Sequence, residues 1–137
     1  MPKVVYSAAK GLHQQPGTGF EISDVPVLEE IQALSAPSSA VVNPYGVTTF
    51  AITGAGNTAT LAAPTSSEPA GTTKICTVPG AVGGGHKVRM TCTGGGIQTD
   101  GSTALAHIDF DAQNETAVLV SNGTKWICIS AVGATQG

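Results

Sequence analysis

Three histidines, three cysteines and one short acidic stretch are the residues of this chain whose types suit them to chemistry. His13, His86 and His107 are far apart in sequence. No Cys or Asp stands at a hydrolase-like spacing from them to nominate a triad. Each therefore reads as a structural or interface histidine, although one histidine presented three times about a three-fold axis could bind a metal or an anion. Cys76, Cys92 and Cys128 are an odd set with spacings of 16 and 36, which fits no zinc pattern. Each sits in a β-like run (KICTV, RMTCT, WICIS) where a small apolar thiol packs well. Asp109, Asp111, Asn114 and Glu115 place oxygen ligands close together, as a calcium loop does, but the twelve-residue helix–loop–helix spacing is missing. Turn-forming residues account for the same letters. Paired carboxylates for glycoside hydrolysis would draw on the same residues, yet aromatics are only 4% of the chain, too few for a sugar platform. The clusters GAGN at 54–57 and GGGH at 83–86 lack the Walker spacing, and neither opens a helix whose N-terminus could hold a phosphate. The expectation is a protein with no catalytic residue, no cofactor and no metal site.

The totals point to a protein that covers itself with partners. Charged residues are 11% of 137, against roughly 25% in ordinary soluble domains. Between Ile31 and Ser67 there is no Asp, Glu, Lys or Arg. The hydrophobic fraction of 41% is enough to drive folding, but much of it is alanine, so a lone protomer has a thin core. Oligomerisation is one remedy for a thin core. The net charge is −3, and Lys87 and Arg89 are the closest pair of cations, so nucleic acid is not an expected partner. The opening MPKVVYSAAKGLHQQ lacks the apolar core of a signal peptide, and no apolar run reaches the ~20 residues that span a bilayer. The expected location is the cytosol or a particle assembled there, without a membrane.

The elements that must carry these residues divide near residue 46. In the first part, residues 3–7 (KVVYS) read as a short strand and residues 11–19 (GLHQQPGTG) as a loop. Residues 25–34 (VPVLEEIQAL) read as a short helix opened by Pro26, with Leu28, Ile31 and either Leu34 or Gln32 on one face. Residues 36–44 (APSSAVVNP) read as an extended, proline-stiffened linker. From Val47 onward, strands at 48–53, 58–62, 73–78, 87–93, 104–110, 116–121 and 125–131 alternate with glycine-rich turns. The fold class is all-β: a compact antiparallel sandwich, jelly-roll-like, or a small barrel, formed by residues 47–137 with an extended arm at 1–46. The Asn122-Gly123 pair between two β-branched runs predicts a two-residue type I′ hairpin. It places Trp126 and Cys128 on one face of the last long strand and Ile127 and Ile129 on the other, both covered.

The order of segments is itself informative. GNTATLAAP, then KICTV after GTT, KVRMTC, GGGIQTDGSTAL and finally ETAVLVSNGTKWICIS follow one another. Over residues 57–131 this resembles small bacteriophage virion β-domains, many of which end in L-x-S-D/N-G-T-x-W, here Leu119 to Trp126. Such domains occur as capsid cement (decoration) proteins and as tail or head fibre modules, commonly as trimers. A fibre usually continues as a repetitive chain, and no internal repeat is present here. The resemblance thus implies a homotrimeric cement protein on the capsid surface, assembled in the host cytoplasm, with the major capsid protein as partner. A tail or head fibre module is the alternative, and a carbohydrate-binding module a remoter one. It further implies that Lys3, Val4, Val5 and Tyr6, with Leu12 and Phe20 in the following loop, meet the capsid by strand addition or groove filling.

Overall fold

The computed structural model describes residues 4–7, 11–14, 31–64, 70–93, 96–99 and 104–137, the first two segments through their backbone only. Among these residues there are fourteen strands and no helix. Strands β1 (Val4–Ser7) and β2 (Gly11–Gln14) pair antiparallel as a separate two-stranded sheet. The loop expected at 11–19 therefore begins as a strand. Val4, Val5 and Tyr6 lie on β1 and Leu12 on β2, while Lys3 and Phe20 lie outside the described residues.

The remaining strands build two sheets. The larger runs β10 (Ala104–Leu105), β9 (Ile97–Gln98), β13 (Trp126–Val132), β12 (Thr116–Ser121), β7 (Thr73–Thr77), β5 (Gly46–Ala51), β3 (Ile31–Ser35). The smaller runs β14 (Thr135–Gln136), β11 (His107–Phe110), β8 (Val88–Cys92), β6 (Asn57–Leu61), β4 (Ala40–Val42). The result is a β-sandwich, but a mixed one. Five pairings are parallel: β3 with β5, β5 with β7, β9 with β13, β4 with β6 and β6 with β8. The chain achieves this by crossing from one sheet to the other between successive strands, which leaves neighbours within a sheet pointing the same way. Hairpin turns alone would have made the sheets wholly antiparallel.

Two expectations for the first part of the chain are overturned. Residues 31–35 form strand β3 where a helix was expected, and Val25 to Glu30 lie outside the described residues. The stretch 36–44 contains β4 and is hydrogen-bonded into the smaller sheet. Residues 31–46 are thus part of the sandwich body and not of an arm. The corner between β3 and β4 forces Ala36 (φ 43°) and Ser39 (φ 60°) into the left-handed region, with buried Pro37 between them. Closing the two sheets onto each other pays for this strain.

The core lies between the sheets. Inward residues alternate along each strand: Thr48 and Phe50 on β5, Lys74 and Cys76 on β7, Ala117, Leu119 and Ser121 on β12. From the smaller sheet come Ala59, Leu61, Val88, Met90, Ile108 and Phe110. Phe50 and Phe110 meet across the gap at 5.4 Å between ring centroids, tilted by 50°. Trp126 is fully buried; its Nε1 donates to the Ala62 carbonyl at 2.8 Å and its backbone N–H to the Gly96 carbonyl at 2.6 Å. One side chain thereby ties β13 to the chain following β6. A β-carbon at Gly96 would lie 2.6 Å from Cys92 Sγ, so any larger residue there would force that side chain to move.

The β12–β13 hairpin forms, with its apex one residue later than expected. Ser121 pairs with Trp126, so Gly123 and Thr124 occupy the tip. Gly123 has φ 93°, and Asn122 stays outside the left-handed region that a type I′ turn requires of it. Asn122 works through its side chain instead. Its Oδ1 accepts hydrogen bonds from Thr124 N, Thr124 Oγ1 and Lys125 N at 2.8–3.0 Å. Trp126 and Cys128 share one face as expected, and it is the inner one, but the other face is not covered at Ile129, which is 61% exposed. It is the extra residue of a bulge between the Leu119–Cys128 and Val118–Ser130 pairs, which returns Ala131 to the core side.

Trp126→Ala should lower unfolding free energy by about 3–5 kcal/mol, a large fraction of what a small domain possesses. Ile127→Ala, on the outer face of the same strand, should cost less than about 1 kcal/mol. Urea melts of the two variants beside the parent check the difference.

Candidate functional site

The smaller sheet carries on its outer face the only charged cluster among the described strands. Arg89 on β8 stands directly opposite Asp109 on β11. Its Nε and Nη2 donate to the two carboxylate oxygens at 2.8 and 2.7 Å, a bidentate pair. Lys87 Nζ adds a third bond at 2.8 Å, and His107 Nε2 lies 3.8 Å from the same carboxylate. Asp109 is nearly buried beneath these cations, whose side chains stay close to half exposed. The Arg89 hydrogen bonds above all, then the Lys87 bond and the two positive charges, hold the Asp109 carboxyl well below the usual carboxylate range, against the opposing effect of burial.

The acidic letters considered for calcium do not converge. Asp109 is committed to Arg89 and Lys87. Glu115 turns its Oε2 onto the backbone N–H groups of Asp111 and Ala112, closing the turn in which Asn114 takes φ 68°. Asp111 is exposed. Among the described residues no three His, Cys, Asp or Glu side chains come together as metal ligands do. Cys76, Cys92 and Cys128 are free thiols. Cys76 packs with its Sγ 3.6 Å from Met90 Sδ, and burial pushes its thiol up to about 12 despite the nearby Lys74 charge. Burial raises Cys92 and Cys128 as well. None of the three is a ready nucleophile. His86 packs against Gly83, where a β-carbon would lie 2.9 Å from the ring nitrogen.

A second polar group closes one side of the sandwich. Lys74 is fully buried and donates to the Tyr45 carbonyl at 3.0 Å and to Thr48 Oγ1 at 2.6 Å. Thr48 passes a hydrogen bond to Gln32 Oε1, which also accepts from Asn43 N, while Gln32 Nε2 donates to the Val41 carbonyl, each at 2.9 Å. Gln32 belongs to β3 in the larger sheet, and Val41 and Asn43 flank the free side of β4 in the smaller one. Its carboxamide therefore offers β4 one donor and one acceptor, as the peptide group of an adjacent strand would.

The outer face of the larger sheet is the opposite of the charged one. Register places Ile31, Val47, Ile75, Val118 and Ser130 in one row across five strands. The next row is Ala33, Thr49, Thr77, Thr116 and Val132. Thr73, Val120 and Ile127 form a third. None of these side chains is charged. The Thr77 and Thr116 hydroxyls bond to each other at 2.9 Å, and Thr77 also reaches the Glu115 carbonyl, so part of the face's polarity is used up internally. Ile31, Ile129 and Val132 are 61–69% exposed around it. The sequence shows the charge-free stretch from 31 to 67, but not that strands 73–77, 116–121 and 126–132 extend it sideways. No protein-family model matches the chain, and no curated protein matches it.

Two predictions follow from the polar groups. A depressed folded-state pKa means that Asp109 stabilises the fold above its unfolded value near pH ~4 and loses that contribution as pH falls through the folded value. Asp109→Asn should be less stable than the parent at pH 7 and should lose less stability on acidification below pH ~4, as read from urea midpoints against pH. Gln32→Leu, which removes the hydrogen bonds of the carboxamide to Asn43 N, the Val41 carbonyl and Thr48 Oγ1, should cost about 1–3 kcal/mol in the same assay.

Proposed function

We propose that this chain is a structural virion protein that binds the outside of a bacteriophage capsid and clamps neighbouring capsid subunits. It works as a homotrimer, with the major capsid protein as its other partner, and performs no catalysis. The observation that carries this reading is the uncharged outer face of the larger sheet, set against the charged outer face of the smaller one. A free-standing soluble domain spreads charge over its surface. Among the described strands the one cluster of ion pairs lies on the smaller sheet, and the register rows of the larger sheet's outer face hold no charged side chain, which suits that face to being covered.

Size bears on how such a face would act. Five strands at about 4.8 Å spacing and five residues at about 3.3 Å rise give roughly 400 Å² in projection. A stable interface takes about 800 Å² from each partner. One face alone makes a modest contact, and a trimer gains by engaging several at once. The β1–β2 hairpin supplies a further contact for the capsid, with Val4, Val5, Tyr6 and Leu12 on its strands. The resemblance of residues 57–131 to virion β-domains points the same way.

Virions lacking the protein should release their genome at a lower temperature than complete ones in a heat-release assay. Unchanged genome retention would count against clamping. Gel densitometry of virions should give hundreds of copies per particle, whereas a few copies would favour the fibre role. Ile75→Lys, which places a charge in the middle of the uncharged face, should fold with a parental circular dichroism spectrum and lose most of its binding to shells.

A further inference from the structure

Among the described residues the sandwich has four sheet edges, and three of them are poor sites for strand addition. Strands β10 and β14 are two residues long. Strand β4 has three residues, and the Gln32 carboxamide already occupies the Val41 carbonyl and Asn43 N–H on its free side. The fourth edge, β3, has five residues and pairs with β5 along its whole length. It carries no charge, no proline and no bulge, which are the usual devices that keep an edge unpaired.

The direction of its free groups follows from the ladder. The Ala36 N–H donates to the Ala51 carbonyl, so the backbone groups of even-numbered residues on β3 face β5. Those of Ile31, Ala33 and Ser35 face away from the sheet. These same residues turn their side chains outward, and Ile31 is 69% exposed.

We propose that β3 docks against β3 of a second copy, antiparallel, about a two-fold axis at Ala33. The occupant is identified by the strand's self-complementarity. In that register Ala33 faces Ala33 of the other copy, and the large Ile31 lies beside the small Ser35. A second copy brings no charge to an edge that has none to match. The pairing also joins two uncharged sheet faces into one continuous surface, with each exposed Ile31 in the middle of it. Gln32 gives the arrangement its selectivity, since it blocks the neighbouring β4 edge while its own backbone is bonded to β5. A five-residue strand pair is well below a standard interface in area, so the association in solution is weak and concentration-dependent. The inference does not depend on the capsid reading and stands or falls without a virion.

The test is a pair of cysteine variants of the full chain, oxidised mildly and read on a non-reducing gel. Residues paired at the axis have Cα atoms about 5.5 Å apart, within disulfide range. Ala33→Cys should give a covalent dimer. Ser35→Cys, which would face Ile31, should give little more than the parent with its native cysteines. Ala33→Pro removes no bond to β5 but deletes a donor at the axis and places a ring against the partner. At high concentration it should halve the sedimenting mass in analytical ultracentrifugation while keeping the parental circular dichroism spectrum. Equal cross-linking of the two cysteine variants, no cross-linking of either, or an unchanged mass for a folded Ala33→Pro variant would each overturn the proposal.

Discussion

Phe50 and Phe110 touch across the space between the sheets, and with Trp126 they are the aromatic rings of the described core. Two sheets pack about 10 Å apart, and that gap has to be filled by side chains from both sides. A chain with one Trp, three Phe and two Tyr has few large fillers. The remaining volume is taken by Leu61, Met90, Ile97, Ile108 and Leu119, all fully buried. Everything else in the molecule depends on this closure. The left-handed backbone at Ala36 and Ser39, the glycine contact at Gly96 and the bulge at Ile129 are local costs that persist because the two inner faces meet.

Polar groups do the same work at the margins of the core. Lys74, Thr48 and Gln32 form a relay from an ammonium group in the interior to the backbone of β4. An ammonium in the interior is costly unless its donors are satisfied, and its bonds to Tyr45 and Thr48 help to meet that requirement. The relay also fastens the larger sheet to the smaller one on the side where the β3–β4 corner brings them together. On the smaller sheet's outer face, Asp109 gathers Arg89 and Lys87, and the Glu115 carboxylate holds the following turn. The few charges of this part of the chain are spent on structure.

No charged side chain stands in the register rows of the larger sheet's outer face. Ile, Val, Ala, Thr and Ser residues from five strands lie in register there. The proposed trimeric clamp and the proposed strand-to-strand dimer draw on different parts of this surface, the face in the first case and the β3 edge in the second. The two are compatible, because an edge-to-edge pair leaves the face itself uncovered. The contrast between the two outer faces is therefore the feature that links the architecture to assembly.

Much of the fold was legible in the residues. Six of the seven strands expected between 48 and 131 are found, some with shifted ends, because period-two alternation and glycine-rich turns are local signals. The expected strand 104–110 is instead broken at Ala106 into β10 in the larger sheet and β11 in the smaller one. That Trp126 and Cys128 share one face follows from the same alternation, whereas which face is buried does not. Residues 31–34 misled because Leu28, Ile31 and Leu34 satisfy a helical spacing, while Ile31-Gln32-Ala33-Leu34 satisfies a strand equally well. Only the position beside β5, with Gln32 and Leu34 turned to the core, selects the strand. The short strands β9, β10 and β14 carry too few residues to show a period, and the Asn122-Gly123 apex moved by one because the Ser121–Trp126 pairing sets the register. What the sequence by itself determined was an all-β chain, poor in charge, with three cysteines spaced unlike zinc ligands. What the tertiary structure alone decided was the order of strands, including the five parallel pairs. That order places residues more than eighty positions apart in one uncharged face, because a side chain's outward direction is local but its neighbours across a sheet are not.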